Sequence, residues 1–231
     1  MNSAPLRLLV LGLGKTGTLV ADVARERGHQ VQSIDADVNQ NAAWLTPENL
    51  RDVDVAIDFT APDAVLANIE TCVRAHKAMV VGTTGWYGEL DRVRQAVEQA
   101  GTGFVFGANF SYGVNLFFQI AQAAAPALAH DYRAHITERH HIHKKDAPSG
   151  TAAALQRLLE QSGDGRVEIA SEREGDVPGI HTLELVSSGD RIVLTHEVKS
   201  RRTFAEGAVL AAEWIAGRIG FYDFKDIFAQ L

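Results

Sequence analysis

Gly12-Leu13-Gly14-Lys15-Thr16-Gly17 is the stretch that decides the fold of the first half of the chain. The apolar run Leu6–Leu11 precedes it, and the amphipathic stretch Val20–Arg27 follows it. A strand, a G-x-G-x-x-G turn and a helix in this order are typical of a dinucleotide-binding unit, where the glycines allow a tight turn, close approach of a pyrophosphate and packing of helix on strand. We expect the phosphates at the helix N-terminus, where N–H groups and the helix dipole favour an anion.

Apolar strands continue to alternate with helices as far as residue 106. One helix is expected after Pro62 and Asp63, and another over Asp91–Ala100. Because parallel strands need a crossover, and because these runs are apolar enough for burial on both faces, the pattern predicts an α/β, Rossmann-type, doubly wound parallel sheet. Its remaining strands are predicted over Val31–Ile34, Val53–Phe59, Met79–Val81 and Phe104–Phe106.

The pattern changes near Asn109, where a long apolar helix is predicted over Leu116–Leu128. Several strands then follow with short turns, which indicates a second, α+β domain with a mixed sheet. Its strands are predicted over Tyr132–His140, Val167–Ala170, Ile180–Val186 and Arg191–Val198. We place the dinucleotide-binding domain over residues 1–110 and the second domain over 111–204, with a C-terminal helical segment over 205–231 that packs back on the first domain.

Composition excludes several classes of protein. The 231 residues are 46% hydrophobic, which excludes wholesale disorder. The net charge of −7 argues against a nucleic-acid partner. Cys72 is the single cysteine, so an internal disulfide and a multi-cysteine metal site are excluded. No apolar run approaches the about 20 residues of a membrane span, and Met1–Pro5 lacks the basic start of a secretory signal, so we expect a cytoplasmic protein with no membrane partner.

Asp35 ends the second predicted strand, 18 residues after Gly17, where a carboxylate can accept hydrogen bonds from the ribose of a dinucleotide. It would repel a 2′-phosphate, which favours NADH over NADPH. The alternative is a glycine-rich turn in an unrelated α/β protein with Asp35 as a solvated acid. Gly82-Thr83-Thr84-Gly85 also follows a predicted strand, so its amides and hydroxyls are expected to line the same crevice.

A basic segment stands out in this acidic chain. Five of the nine histidines fall between residues 130 and 143, and Lys144 and Lys145 follow them. An electropositive cluster attracts anionic small molecules. Ser149-Gly150-Thr151 then opens a predicted helix over Ala152–Glu160, whose start suits a carboxylate, with Lys144 as a point charge.

His140 and His141 are consecutive on the predicted strand and should face opposite sides, so that one of them donates a proton while the other orients substrate. Two alternatives stay open at this point. The His-x-His pair could bind a metal, although no third ligand has an obvious spacing. The segment could also be a solvated basic loop, although the adjoining helix start argues against it.

The stretch Glu138–Ala152 resembles the signature E-x-H-H-x-x-K-x-D-A-P-S-G-T-A of the 4-hydroxy-tetrahydrodipicolinate reductase (dihydrodipicolinate reductase) family of bacterial lysine and diaminopimelate synthesis, at every fixed place. Further matches cover nearly the whole chain in the family's order. They are Gly82–Gly85, Ala108-Asn109-Phe110-Ser111 with Gly113–Asn115, and Arg202–Ala205 with Gly207-Ala208.

The resemblance implies roles for individual residues. It implies His140 and Lys144 as catalytic proton donors and a homotetramer assembled through the second domain. The lack of a third ligand at an obvious spacing favours a site without a metal. The implied substrate-binding residues are His141, Lys144, Ser149, Gly150 and Thr151. The implied cofactor-binding residues are Gly12, Leu13, Gly14, Lys15, Thr16, Gly17, Asp35, Gly82, Thr83, Thr84, Ala108, Asn109, Phe110 and Ser111.

The reaction that this resemblance implies is reduction of a cyclic dicarboxylate, 4-hydroxy-tetrahydrodipicolinate, to tetrahydrodipicolinate with NADH or NADPH. No basic residue directly follows Asp35, where members that accept NADPH often carry one. Lys15 could still weaken the preference for NADH, so use of NADPH stays open. The alternatives are another two-domain NAD(P)-dependent amino-acid dehydrogenase and a non-catalytic nucleotide sensor. Neither would need the His140, Lys144 and Ser149–Thr151 groups together.

Overall fold

The computed structural model describes residues 4–161 and 167–231, so Met1–Ser3, part of the N-terminus considered above for a secretory signal, lie outside the described residues. The described chain divides into two compact units. The first unit ends at Tyr112 and takes in Arg202–Leu231, and the second unit is Gly113–Arg201. None of the described helices is long and apolar enough to cross a membrane.

Ten strands and eight α-helices make up the described chain. The strands are β1 (Arg7–Leu11), β2 (Gln30–Ile34), β3 (Val55–Asp58), β4 (Ala78–Val81), β5 (Gly103–Phe106), β6 (Arg133–His140), β7 (Glu168–Arg173), β8 (Ile180–Val186), β9 (Arg191–Glu197) and β10 (Gly220–Asp223). The helices are α1 (Lys15–Glu26), α2 (Pro47–Leu50), α3 (Val65–Arg74), α4 (Leu90–Ala100), α5 (Tyr112–Ala124), α6 (Gly150–Glu160), α7 (Arg202–Ile215) and α8 (Phe224–Ile227). Short 3-10 turns lie at Gln40–Ala42, Tyr87–Glu89, Ala125–Ala129 and Phe228–Gln230.

The first unit contains a six-stranded parallel sheet in the order β10-β5-β4-β3-β1-β2. Leu11, at the end of β1, pairs with Ile34 and with Asp58, and Asp58 pairs with Val81. The carboxyl ends of these strands are therefore level. The segments that follow them emerge at one edge of the sheet, where α/β proteins of this kind bind ligands.

Both faces of this sheet are covered, which explains why its strands read as continuous apolar runs. Along β1, Leu8 and Val10 join the core cluster that includes residues of α1 and α7. Leu9 and Leu11 join the opposite cluster, which includes residues of α3 and α4. The prediction of a Rossmann-type doubly wound sheet is confirmed.

The predicted C-terminal helix over 205–231 is wrong in its extent. Helix α7 ends at Ile215, and the chain then forms β10, which pairs in parallel with β5. Gly217 and Gly220 have φ angles of +75° and +137°, which end the helix and turn the chain into the sheet. Phe221 of β10 stacks on Phe104 of β5 with ring centroids 5.2 Å apart.

The second unit has a mixed four-stranded sheet in the order β7-β6-β8-β9, in which only the β6–β7 pair is parallel. The prediction of a mixed sheet in a second α+β unit is confirmed. Ile136, Glu138 and His140 on β6 are all buried, as is His181 on β8. This period of two places the three β6 side chains on one face of the sheet, and Glu138 lies opposite His181 in the register.

The first helix of this unit is as long as predicted but lies four residues earlier in the chain, from Tyr112 to Ala124. The predicted helix over 116–128 ends at Ala124, and a 3-10 turn with Pro126 near its start follows it. Proline lacks the backbone N–H that an α-helix needs at an interior position.

Candidate active site

The glycine turn of the first unit is as compact as its sequence predicts. Gly12 has a φ of +85°, a conformation that favours glycine, and its N–H donates to Ile34 O at 2.9 Å. A Cβ on Gly17 would lie 1.8 Å from Gly12 O, so only glycine lets α1 pack this close to the turn. Gly14 is the N-cap of α1, and a Cβ there would meet nothing within 4 Å. The open space lies where a phosphate is expected to approach.

The start of α1 is electrostatically suited to an anion. Among the described residues, no side chain caps its N-terminus, and its first turn carries no acidic residue. The exposed Lys15 opens this turn. Thr18 donates its hydroxyl to Leu13 O at 3.0 Å, which fixes the turn internally.

Asp35 lies beside the same turn. Its Oδ1 accepts hydrogen bonds from the N–H of Leu13 at 3.1 Å and from the N–H of Ala36 at 2.8 Å. These two donors lower the pKa of Asp35, so the exposed side chain is an anion fixed next to the glycine turn.

Asp58, at the end of β3, connects the segments that follow β3 and β4. Its Oδ1 accepts from the hydroxyls of Thr60 and Thr83, each at 2.7 Å, and its Oδ2 accepts from Nδ2 of Asn68 at 2.8 Å. The carboxyl is fully buried, and burial raises its pKa against the opposing effect of these hydrogen bonds. The hydroxyl of Thr83 therefore points into the protein, whereas Thr84 is exposed.

The segment Ala108–Ser111 follows β5 and is only partly exposed. Ala108 is exposed and Asn109 half-buried, and Oδ1 of Asn109 accepts the N–H of Ser111 at 2.9 Å. Phe110 is a core residue whose ring lies 4.6 Å from that of Phe224. The predicted cofactor residues of the first unit thus all lie in segments that follow the carboxyl ends of β1, β2, β4 and β5.

In the second unit, a buried cluster forms around the fully buried carboxylate of Glu138. Its Oε2 contacts Nδ1 of His140, while its Oε1 lies 3.0 Å from Nη2 of Arg173 and 3.3 Å from the N–H of Ser149. We call Glu138, His140, Ser149, Arg173 and His181 the Glu138 cluster. Burial would raise the pKa of Glu138, but hydrogen bonds from Arg173, from the hydroxyl of Ser171 and from His140 hold it below its ordinary value.

The imidazole of His140 is enclosed on several sides. Its ring centroid lies 5.1 Å from that of His181 in an edge-to-face arrangement. A Cβ on Gly179, whose φ is +156°, would lie 2.9 Å from Nε2 of His140. Burial lowers the pKa of His140, and the charges of Lys144 and Arg173 add to this, whereas Glu138 opposes it.

Ser149 caps helix α6 and belongs to the same cluster. Its hydroxyl accepts the N–H of Ala152 at 3.2 Å and lies 3.1 Å from Nε2 of His181. The buried Ser149 hydroxyl is thus engaged inside the protein. The exposed Gly150 and the half-buried Thr151 form the first turn of α6.

Lys144 lies in the segment between β6 and α6, and its Nζ pairs with Oδ1 of Asp146 at 2.8 Å. This ion pair lowers the pKa of Asp146. Arg173 holds the same segment from β7, since its Nε lies 3.4 Å from Lys144 O and its Nη2 lies 2.5 Å from Asp146 O. Arg173 joins the lysine segment to the Glu138 cluster.

His141 does not sit where the sequence placed it. Strand β6 ends at His140, so the expectation that His141 lies on the strand is wrong. His141 begins the turn after the strand, where His141 O accepts the N–H of Lys144 at 3.1 Å. Its ring lies 6.3 Å from that of His143. Across the described ranges, no three His, Cys, Asp or Glu side chains come together in an arrangement that could hold a metal.

Sequence reasoning gave no role to Arg173, His181 or Asp58. Asp58 lies within the strand predicted over Val53–Phe59, and His181 lies within the strand predicted over Ile180–Val186. Two signals point to Glu138: its period-two spacing to His140 and its place at the start of the signature over Glu138–Ala152. Nothing in the spacing points to Arg173.

Comparison with known proteins covers both units. Residues 6–110 match the family model described as "Dihydrodipicolinate reductase, N-terminus", and residues 113–228 match "Dihydrodipicolinate reductase, C-terminus". A 4-hydroxy-tetrahydrodipicolinate reductase of Christiangramia forsetii is 36% identical over 241 residues, with 98% of this chain and 99% of the relative covered. The enzyme of the same name from Chromohalobacter salexigens is 42% identical over 200 residues, with 75% and 72% covered.

A solved structure supports the fold. The dipicolinate-bound dihydrodipicolinate reductase of Paenisporosarcina sp. TG-14 aligns with a TM-score of 0.81 at 22% identity, covering 97% of this chain and 100% of that one. The relatives are oxidoreductases, and the match extends through the segment that carries His140 and Lys144. These findings confirm the prediction of a reductase that uses a pyridine nucleotide and do not favour the amino-acid dehydrogenase or the nucleotide sensor. The chain belongs to the 4-hydroxy-tetrahydrodipicolinate reductase family.

Proposed function

We propose that this chain reduces 4-hydroxy-tetrahydrodipicolinate, with the first unit holding the nucleotide and the second unit holding the dicarboxylate and supplying a proton. The observation that carries this proposal is the Glu138 cluster. It ties a histidine, the start of a helix and a lysine-bearing segment to one another within a single unit. A histidine that can donate a proton, together with a lysine and the positively polarised start of a helix, suits an anionic ring that must be both held and protonated.

The nucleotide fits the residues present in the first unit. Gly12–Gly17 and the start of α1 would hold the pyrophosphate, since the turn is open at Gly14 and lacks an acidic residue. Gly82–Thr84 and Ala108–Ser111 would line the remainder of the site. Bound NADH or NADPH supplies the hydride for the reduction.

Asp35 carries the preference for NADH within this proposal. Its Oδ1 is fixed by two backbone N–H groups, so the carboxylate is oriented before ligand binds. Ribose hydroxyls can donate to it, whereas a 2′-phosphate would meet a negative charge. Asp35→Asn should lower the affinity for NADH and narrow the preference over NADPH. The exposed Asp37 supplies the matched control, because Asp37→Asn should change neither affinity.

The dicarboxylate would be held by the lysine segment and the start of α6. Lys144 pairs with the neighbouring Asp146 in the free protein and would exchange this partner for a substrate carboxylate. N–H groups at Gly150 and Thr151, with the Thr151 hydroxyl, would hold a carboxylate at the helix N-terminus. The Ser149 hydroxyl supports this turn from inside, so we assign it to positioning the turn. His141 would contact the substrate from the turn that precedes Lys144.

His140 would supply the proton through Nε2, because Nδ1 is engaged by Glu138. Its lowered pKa makes the imidazolium a stronger acid than an ordinary histidine. Lys144 is the second candidate donor, because its ammonium belongs to the same segment. Positioning of the ring by the carboxylate contacts would contribute on the order of 7–11 kcal/mol in favourable cases.

The test compares Lys144→Ala with Lys145→Ala, which removes an adjacent exposed lysine. We expect Lys144→Ala to lower kcat/KM for the dicarboxylate by at least about 100-fold with the affinity for NADH unchanged. Lys145→Ala should stay close to wild type. Equal activities in the two variants would refute the carboxylate-binding role, and a wild-type protein that does not oxidise NADH with this substrate would refute the proposed function.

The family resemblance also leads us to propose a cytoplasmic homotetramer. Light scattering after size-exclusion chromatography should give a mass of four 25.1 kDa chains. Fractionation of the source cells should place the activity in the cytoplasmic fraction. A monomeric mass in the active protein would contradict the first statement.

A further inference from the structure

We infer that Glu138 is a positioning residue for the reaction: its buried carboxylate orients the ring of His140 and, through Ser149 and Arg173, aligns the start of α6 and the Lys144 segment with that ring. This inference rests on the proposed function. It assigns to a residue outside the predicted site the task of holding three parts of that site in register.

The first step is the number and origin of the groups that meet at this carboxylate. Glu138 and His140 lie two residues apart on β6, Arg173 lies opposite His140 on β7, and the Ser149 N–H comes from the start of α6. A fully buried carboxylate is costly unless its oxygens are paired. Each oxygen of Glu138 therefore holds its hydrogen-bond donors in a fixed position.

The second step concerns the hydrogen on His140. An ionised carboxylate only accepts hydrogen bonds, so Nδ1 of His140 carries the hydrogen that Glu138 receives. In the neutral ring, Nε2 is then the basic nitrogen, and it is the atom that takes up and releases a proton. The ring of His181 packs against the His140 ring and confines it. Gly179 has no side chain, which leaves room for Nε2 in this orientation.

The third step is the connection to Lys144. Arg173 contacts Glu138 through Nη2, and the same guanidinium lies 3.4 Å from Lys144 O and 2.5 Å from Asp146 O. The backbone of the lysine segment is thus tied to the carboxylate that orients His140. A planar guanidinium can make these contacts together, which an ammonium group at this position could not.

The charges that face His140 predict opposite effects for two substitutions. The titratable groups that face His140 are Glu138 on the same strand, Arg173 on β7, His181 on β8 and Lys144 in the following segment. His181 has a pKa of about 4 and stays neutral near pH 7. Glu138 favours the imidazolium, whereas Arg173 and Lys144 disfavour it.

The experiment measures the pH dependence of kcat and the NMR titration of the His140 ring in three variants. Glu138→Gln should lower kcat more than about tenfold and move the His140 titration to lower pH, with the affinity for NADH unchanged. Arg173→Gln should move it to higher pH and raise KM for the dicarboxylate. Glu172→Gln removes an exposed carboxylate that pairs with Arg139, and it should match the wild type.

A role in folding alone would not move the titration in opposite directions. Unchanged titrations in both Glu138→Gln and Arg173→Gln, or a shift in the same direction, would overturn the inference. If Glu138→Gln does not fold, the tautomer of the wild-type ring decides, because hydrogen on Nε2 rather than Nδ1 in the neutral form contradicts it. The NMR readout needs no turnover, so failure of the proposed function is recognised separately by an inactive wild type.

Discussion

The glycine turn offers a perturbation that separates folding from nucleotide binding. In Gly17→Ala the new Cβ would lie 1.8 Å from the carbonyl oxygen of Gly12, far inside contact distance, and the obstacle is backbone. Helix α1 must then move away from the turn. Overpacking of this kind costs about 1–3 kcal/mol, and a backbone obstacle favours the upper end. The reduced entropy of the unfolded chain returns about 0.4–1 kcal/mol, so we expect a net loss of about 2 kcal/mol.

Gly14→Ala is the matched substitution at the same turn. Its Cβ would meet nothing within 4 Å, and the backbone has a φ of −67°, which alanine adopts easily. Alanine is a poorer N-cap than glycine by a few tenths of a kcal/mol or more, and the loss of unfolded-chain entropy offsets this. The stability should stay within about 0.5 kcal/mol of wild type. The methyl group would occupy the space proposed for the pyrophosphate, so the affinity for NADH should fall at least about tenfold, or about 1.4 kcal/mol.

Urea unfolding without nucleotide and fluorescence titration with NADH measure the two effects. Gly17→Ala should unfold at lower urea, and Gly14→Ala should unfold with the wild-type midpoint but bind NADH poorly. Wild-type stability in Gly17→Ala would refute the packing argument. Wild-type NADH affinity in Gly14→Ala would refute the location of the pyrophosphate at this turn.

Three further predictions concern buried groups. His181 has a pKa of about 4, below its ordinary 6.5, because burial disfavours its charged form, so the unfolded chain binds more protons and stability falls as the pH drops from 6.5 towards 4. Between pH 7 and pH 5, protonation of His181 in the unfolded chain should lower the free energy of unfolding by about 2 kcal/mol. Urea midpoints measured at both pH values should therefore fall less in His181→Gln than in the wild type. Asp58→Ala removes the acceptors for Thr83 and Asn68 and loosens the Thr83 segment, so calorimetry should show NADH affinity reduced about tenfold, whereas unchanged binding would contradict this role. Burial raises the pKa of the Cys72 thiol to about 12, so a thiol reagent should label it only after denaturant is added, and rapid labelling of the folded protein would argue against its burial.

Much of the first unit could be predicted from its sequence because the signals there are local. The glycine turn sits between a strand and a helix that both read clearly, and the apolar strands report burial on two faces. The last strand of that sheet could not be predicted in the same way. β10 is four residues long, and its partner β5 is more than 100 residues away in the chain, so no local periodicity distinguishes it from the end of a helix.

The Glu138 cluster was beyond prediction for a related reason. Its members come from β6, the start of α6, β7 and β8, and the pairing of these strands decides which side chains meet. His140 opposite Arg173, and Glu138 opposite His181, follow from register alone. A signature can name Glu138 and His140 together, but it carries no information about a partner more than 30 residues further along the chain.

The hydroxyl groups of Thr83 and Ser149, which the sequence predicts as ligand contacts, point into the protein for the same physical reason. Thr83 donates to the buried Asp58, and Ser149 lies between Ala152 N–H and His181. Each hydroxyl forms a hydrogen bond with a buried polar group, which is a stronger requirement than a contact to a transient ligand. At both places the neighbouring residue, Thr84 or Gly150, is exposed to solvent. Backbone N–H groups held in place by inward-facing hydroxyls are thus among the donors that both proposed sites would offer to anionic ligands, and they would do so without reorganisation when the ligand arrives.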